Sequence, residues 1–117
     1  MADQDTIFAP STPPGRAGIA VVRVSGPRAG AALRALGGPA EPEARRATLA
    51  RLAAPGNGVP IDEALIFWVP APRSFTGEDQ VELHLHGGPA VVAAALDALG
   101  AVPGLRLAEP GEFTRRA

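Results

Sequence analysis

The sequence contains no cysteine. That excludes disulfides, thiolate metal sites and a cysteine nucleophile, and it fits a cytoplasmic protein. Lysine is also missing: all eleven basic residues are arginine. No Schiff-base lysine can therefore operate among these residues. The net charge is only −1. So balanced a chain does not wrap nucleic acid by electrostatics, and any RNA contact must use a local patch or a partner. No apolar run approaches the roughly 18 residues of a membrane span, and the acidic, polar start "MADQDT" is not a signal peptide.

What is present is an ordinary globular mixture, 46% hydrophobic and 20% charged over 117 residues. The length suits one domain with a modest core. "DTIFA" (5–9) is β-prone, and "PSTPPGRAG" (10–18) is a stiff loop with three prolines and two glycines. "IAVVRV" (19–24) reads as a strand. "SGPRAGAALRALGG" (25–38) reads as a helix capped by Ser25 or Gly26 and ended at Gly37. The alternation in 45–53 favours a strand over a short helix, and "APGNGVP" (54–60) is turn chemistry. The unbroken apolar run Ala64–Val69 within 61–70 predicts a strand covered on both faces. "APRSFTGED" (71–79) is a loop, 80–86 an alternating strand, 87–100 a second helix and 104–109 a short strand. Residues 110–117 turn and open a further helix one turn long, which predicts a piece of a longer protein. The expected architecture is α+β: a small, mostly antiparallel or mixed sheet with two covering helices. Its exposed edges invite pairing with a second copy.

The stretch "VELHLHGG" (81–88) carries the most chemistry. Its alternation puts Glu82, His84 and His86 on one strand face, with the two imidazoles about 6.5–7 Å apart along the chain. Three readings stay open: a metal site, a ligand face on which Glu82 accepts hydrogen bonds, and a solvated sheet face. Gly87 and Gly88 then offer close backbone approach at a helix N-terminus, or simply a tight turn. Arg23, inside the apolar "VVRVSG", suits recognition of a carboxylate or phosphate, or an internal ion pair. Arg16 sits on the stiff loop before that strand. Phe75, in "SFTGED", is a stacking platform if the loop closes over a site. "EPGEF" (109–113) adds two carboxylates at a turn. Nucleophile-elbow, Walker and dinucleotide motifs are all missing.

Three segments in order, "DTIFAPSTPPGRAGIAVVRVSGP", "FTGEDQVELHLHGG" and "AEPGEFTRRA", resemble the N-terminal domain of the MnmE (TrmE) family of tRNA modification GTPases, from end to end of the chain. The resemblance implies a fold similar to the tetrahydrofolate-binding domain of the glycine cleavage T-protein. It implies binding of 5-formyltetrahydrofolate or a related derivative, and homodimerisation. It makes residues 1–117 one folate-binding, dimer-forming domain, ahead of helical and GTPase domains that use GTP, Mg and K. The whole protein would work with the FAD-dependent MnmG (GidA) on the wobble uridine of tRNA at C5. This domain alone would catalyse nothing. By the family's motif, the folate contacts fall on Arg23 and Glu82, with a third on a lysine past Ala117. Arg16, His86 and Gly87 are further candidates, and His84 is an ordinary occupant of the face. No resident metal is implied in this domain.

Overall fold

The computed structural model describes residues 5–11 and 18–117. Arg16, with the rest of 12–17 in the expected loop 10–18, lies outside the described residues.

Six strands form one sheet: β1 Thr6–Pro10, β2 Ile19–Ser25, β3 Thr48–Ala53, β4 Pro60–Val69, β5 Gln80–His86 and β6 Leu105–Leu107. Their order across the sheet is β3-β4-β5-β2-β1-β6. Every pairing is antiparallel except β1 with β6, which is parallel. The three helices are α1 Ala29–Ala35, α2 Pro89–Gly100 and α3 Glu112–Arg116. This is the expected α+β class, with a mixed sheet and one helix more than the two counted as covers.

One face of the sheet builds the core. Val22 and Val24 of β2, Leu83 and Leu85 of β5 and Ile66 of β4 pack against Leu33 of α1 and Leu99 of α2. The period-two alternation of these strands sends each intervening side chain to the opposite face. Segment 45–53, ambiguous by pattern, is strand β3 from Thr48. Its alternation allows Ala50 and Leu52 to join the core.

Two expectations are corrected. The first concerns α1, which begins at Ala29 instead of near Ser25. Gly26 holds a φ of +138°, and a Cβ there would lie 2.7 Å from the Thr6 Cα. The chain crosses β1 too closely for a helical turn. Ser25 is not the cap either, since its hydroxyl is bonded to Thr76 and Glu78. The second concerns β4, which is not covered on both faces. Ala64 and Ile66 are buried, but Leu65 is 42% exposed and its neighbour on β3, Leu49, is 60% exposed. Helices α1 and α2 cover only the core face, so the apolar run on β4 projects partly into solvent.

The second face is covered at one end. Arg106 of β6 is in register with Ile7, and Ile7 with Ser25. Above this row lie α3 and the loop 70–79, joined to the sheet through Glu112 and Glu78. The middle of this face stays open, and there the polar residues gather.

Candidate functional site

Strand register decides which polar residues meet. Phe67, Glu82, Arg23 and Ala9 stand in one row across β4, β5, β2 and β1. The adjacent row holds Leu49, Leu65, His84 and Val21. Glu82 and Arg23 are therefore direct cross-strand partners, and opposite charges so placed attract.

The Glu82 carboxylate is held on both sides. Its Oε2 lies 3.2 Å from Arg23 Nε. Its Oε1 accepts a hydrogen bond from His84 Nε2 at 3.0 Å. His84 rests against Phe67, with ring centroids 4.8 Å apart. The Arg23 contact is electrostatic and poorly aligned: among the described residues its buried Nε–H has no hydrogen-bond partner. A buried donor left in that state carries a desolvation cost. The Arg23 guanidinium also lies 5.8 Å from the centre of the Phe75 ring, within cation–π range.

A cleft of about 420 Å³ opens beside Arg23. Ala9 and Ser11 line one side, and residues 107–114, Phe113 among them, line the other. Glu112 in this segment is not available to a ligand. Arg106 donates to both of its oxygens, at 2.8 and 2.6 Å. These bonds hold the Glu112 carboxyl down at about 2, against the opposing effect of its burial. The same pairing raises the pKa of Arg106.

The structure separates the other candidates from this pair. The His86 ring turns to Asp62, with Nδ1 2.9 Å from Oδ1, and the His86 amide donates to the other Asp62 oxygen at 2.8 Å. The row Glu82–His84–His86 thus divides, and among the described residues no group of three or more His, Asp or Glu is placed to hold a metal ion. Gly87 donates its N–H to Gly18 at 3.1 Å and closes the end of the β2–β5 ladder. Gly88 caps α2 in an ordinary extended conformation, φ −72°. Neither His86 nor Gly87 stands in the Arg23–Glu82 row.

His84, by its strand position an ordinary occupant of the face, is hydrogen-bonded to Glu82. Its i, i+2 spacing on the same strand face was the available signal. Asp62 as the partner of His86 had no comparable local signal, since that pairing depends on β4–β5 register.

The family model described as GTP-binding protein TrmE N-terminus matches residues 6–117. The mitochondrial 5-taurinomethyluridine tRNA synthase subunit GTPB3 of Homo sapiens is 62% identical over 113 residues, covering 96% of this chain and 23% of that protein. The tRNA modification GTPase MnmE of Rhodospirillum rubrum is 58% identical over 125 residues, covering 97% of this chain and 27% of its own length. That of Beijerinckia indica is 60% identical over 116 residues, covering 99% and 26%. The chain spans about a quarter of the length of these curated relatives.

Proposed function

The chain belongs to the family of TrmE N-terminal domains, and from that premise we propose that it binds a tetrahydrofolate derivative and forms a homodimer. The observation that carries the first part is the state of Glu82. Its carboxylate is flanked by His84 and by Arg23, and Arg23 lines a cleft of about 420 Å³.

The donor set fits a reduced pterin. A pterin presents an amino group and a ring N–H side by side. An ionised carboxylate has about four lone-pair sites, so Glu82 can keep both protein contacts and still accept from the ligand. Such charge-assisted bonds are among the stronger ones. The Arg23 side chain is about one-third exposed, and its guanidinium supplies donors for a pterin oxygen or nitrogen. Because Arg23 lies 3.2 Å from Glu82, both address the same end of the ligand. In this reading Arg23 serves the pterin, and the anionic glutamyl tail falls to another cation. Bound, the folate would supply a one-carbon unit; this chain's residues bind and orient it.

The dimer reading rests on Leu49, Leu65 and Ile19, which are exposed on the face that carries Glu82 and His84. Apolar side chains gathered on an open sheet face mark an association surface. In this reading residues 1–117 are the N-terminal domain of a cytoplasmic tRNA modification GTPase. The fold would follow the folate domain of the glycine cleavage T-protein, and an FAD-dependent MnmG-type partner would join at the level of the whole protein. No helix among the described residues is long and apolar enough to cross a membrane.

Calorimetric titration with 5-formyltetrahydrofolate tests the folate reading. Binding is expected, with a loss of about tenfold or more in Glu82→Ala, equivalent to 1.4 kcal/mol. Light scattering tests the dimer. A dimer that binds no folate would favour a pure interaction module.

A further inference from the structure

Phe75 stands over Arg23 although little of it is packed: it is 54% exposed and takes no part in the core. What holds it there is the short loop between β4 and β5. Thr76 and Glu78, on either side of Gly77, are tied to the end of β2. Ser25 Oγ lies 2.6 Å from Thr76 Oγ1 and donates to Glu78 Oε1 at 2.9 Å. The Glu78 amide donates back to Thr76 Oγ1 at 3.3 Å, and Gly26 donates to the Asp79 carbonyl at 2.9 Å.

The loop has a second anchor far away in sequence. Arg116, on the last turn of α3, directs Nη1 to both Glu78 oxygens at 3.2 Å and to the Asp5 carbonyl at 2.7 Å. Its Nη2 reaches Glu112 at 3.2 Å. The Arg116 side chain is only 8% exposed. An ion pair so sheltered is screened little by salt, and its geometry is well defined. A continuous path of contacts therefore runs from α3 through Arg116 and Glu78 to the loop, and from Phe75 to Arg23.

We propose that Glu78 and Arg116 are positioning residues for the ligand site: by clamping the 74–79 loop between β2 and α3, they keep the Phe75 ring over Arg23 and so set the affinity of the Arg23–Glu82 face. The inference rests on the folate reading and deepens it. Phe75 supplies the aromatic wall against which a flat heterocycle stacks, and Glu78 fixes that wall without touching the ligand. Placement of α3 thereby becomes a determinant of binding at a face it does not form.

Two measurements on the 117-residue chain test this. The first is amide exchange of Gly77 and Glu78 by NMR without ligand. Glu78→Ala removes the Arg116 anchor and the Ser25–Glu78 bond, and leaves the Ser25–Thr76 and Gly26–Asp79 bonds and the Arg116–Glu112 pair in place. It should lose protection at these amides while those of β5 stay protected. The second is 5-formyltetrahydrofolate affinity in a double-mutant cycle. Phe75→Ala and Glu78→Ala should each weaken binding by about threefold, the scale of one cation–π or stacking contact, and the double variant should lose no more than Phe75→Ala alone. A merely structural role of Glu78 would instead add to the loss of Phe75. Arg116→Gln, which leaves Glu112 paired with Arg106, should repeat the Glu78→Ala pattern. Additive losses, or unchanged affinity in Glu78→Ala, overturn the proposal. If the unaltered chain binds no folate, that reading falls. The exchange measurement then decides the clamp: unchanged protection in Glu78→Ala overturns it, and lost protection supports it.

Discussion

Glu82 and Arg23 face each other across β5 and β2 with Oε2 and Nε 3.2 Å apart, yet the buried Nε–H makes no hydrogen bond among the described residues. The pair is close enough for its charges to attract but too poorly aligned for a hydrogen bond at Nε. An ion pair with ideal fork geometry would already be satisfied.

His84 shares this carboxylate and should share its effect on affinity. His84→Ala removes the bond to Glu82 Oε1 and the contact with Phe67. A typical intramolecular hydrogen bond is worth about 0.5–1.5 kcal/mol net. Folate affinity by calorimetry should fall about two- to tenfold. His86→Ala, whose ring faces Asp62 instead, should leave affinity unchanged.

The exposed apolar residues make a separable prediction. Leu65→Glu places a charge at the centre of the row Leu49–Leu65–His84. A charge on a solvent-facing position should cost the monomer less than about 0.5 kcal/mol. The proposed dimer should be lost by light scattering while circular dichroism stays that of the folded chain.

The Glu112–Arg106 pair should appear in acid stability. The Glu112 carboxyl titrates at about 2 in the folded chain against an ordinary 4.5. The unfolded chain therefore takes up this proton first as pH falls. The contribution is complete above about pH 4.5 and is lost as pH drops towards about 2. Urea unfolding between pH 6 and pH 2.5 should show a slope from this group of up to about 1.4 kcal/mol per pH unit. Glu112→Gln should be less stable at pH 7 and should lose that part of the slope.

Much of the fold was legible in the sequence because its strands alternate cleanly. β2 and β5 follow directly from the spacing of Val22, Val24, Leu83 and Leu85, whereas β3 was only favoured over a short helix. The start of α1 was not legible, because the close approach of Gly26 to Thr6 is a tertiary fact. The run on β4 misled for a related reason: an apolar strand signals burial on both sides, whereas Leu65 and Leu49 are left uncovered within one chain. At the site, Glu82 and Arg23 could each be singled out from their own strands. That they are neighbours required the register of β2 on β5. The long-range anchor of Arg116 on Glu78, 38 residues apart, left no trace in local pattern.

The most direct test of the account is titration of the unaltered chain and of Glu82→Ala with 5-formyltetrahydrofolate under identical conditions. The account predicts saturable binding to the unaltered chain and about tenfold or weaker binding to the variant, with both proteins equally folded. Equal affinities for the two proteins, or no binding to the unaltered chain, would contradict it.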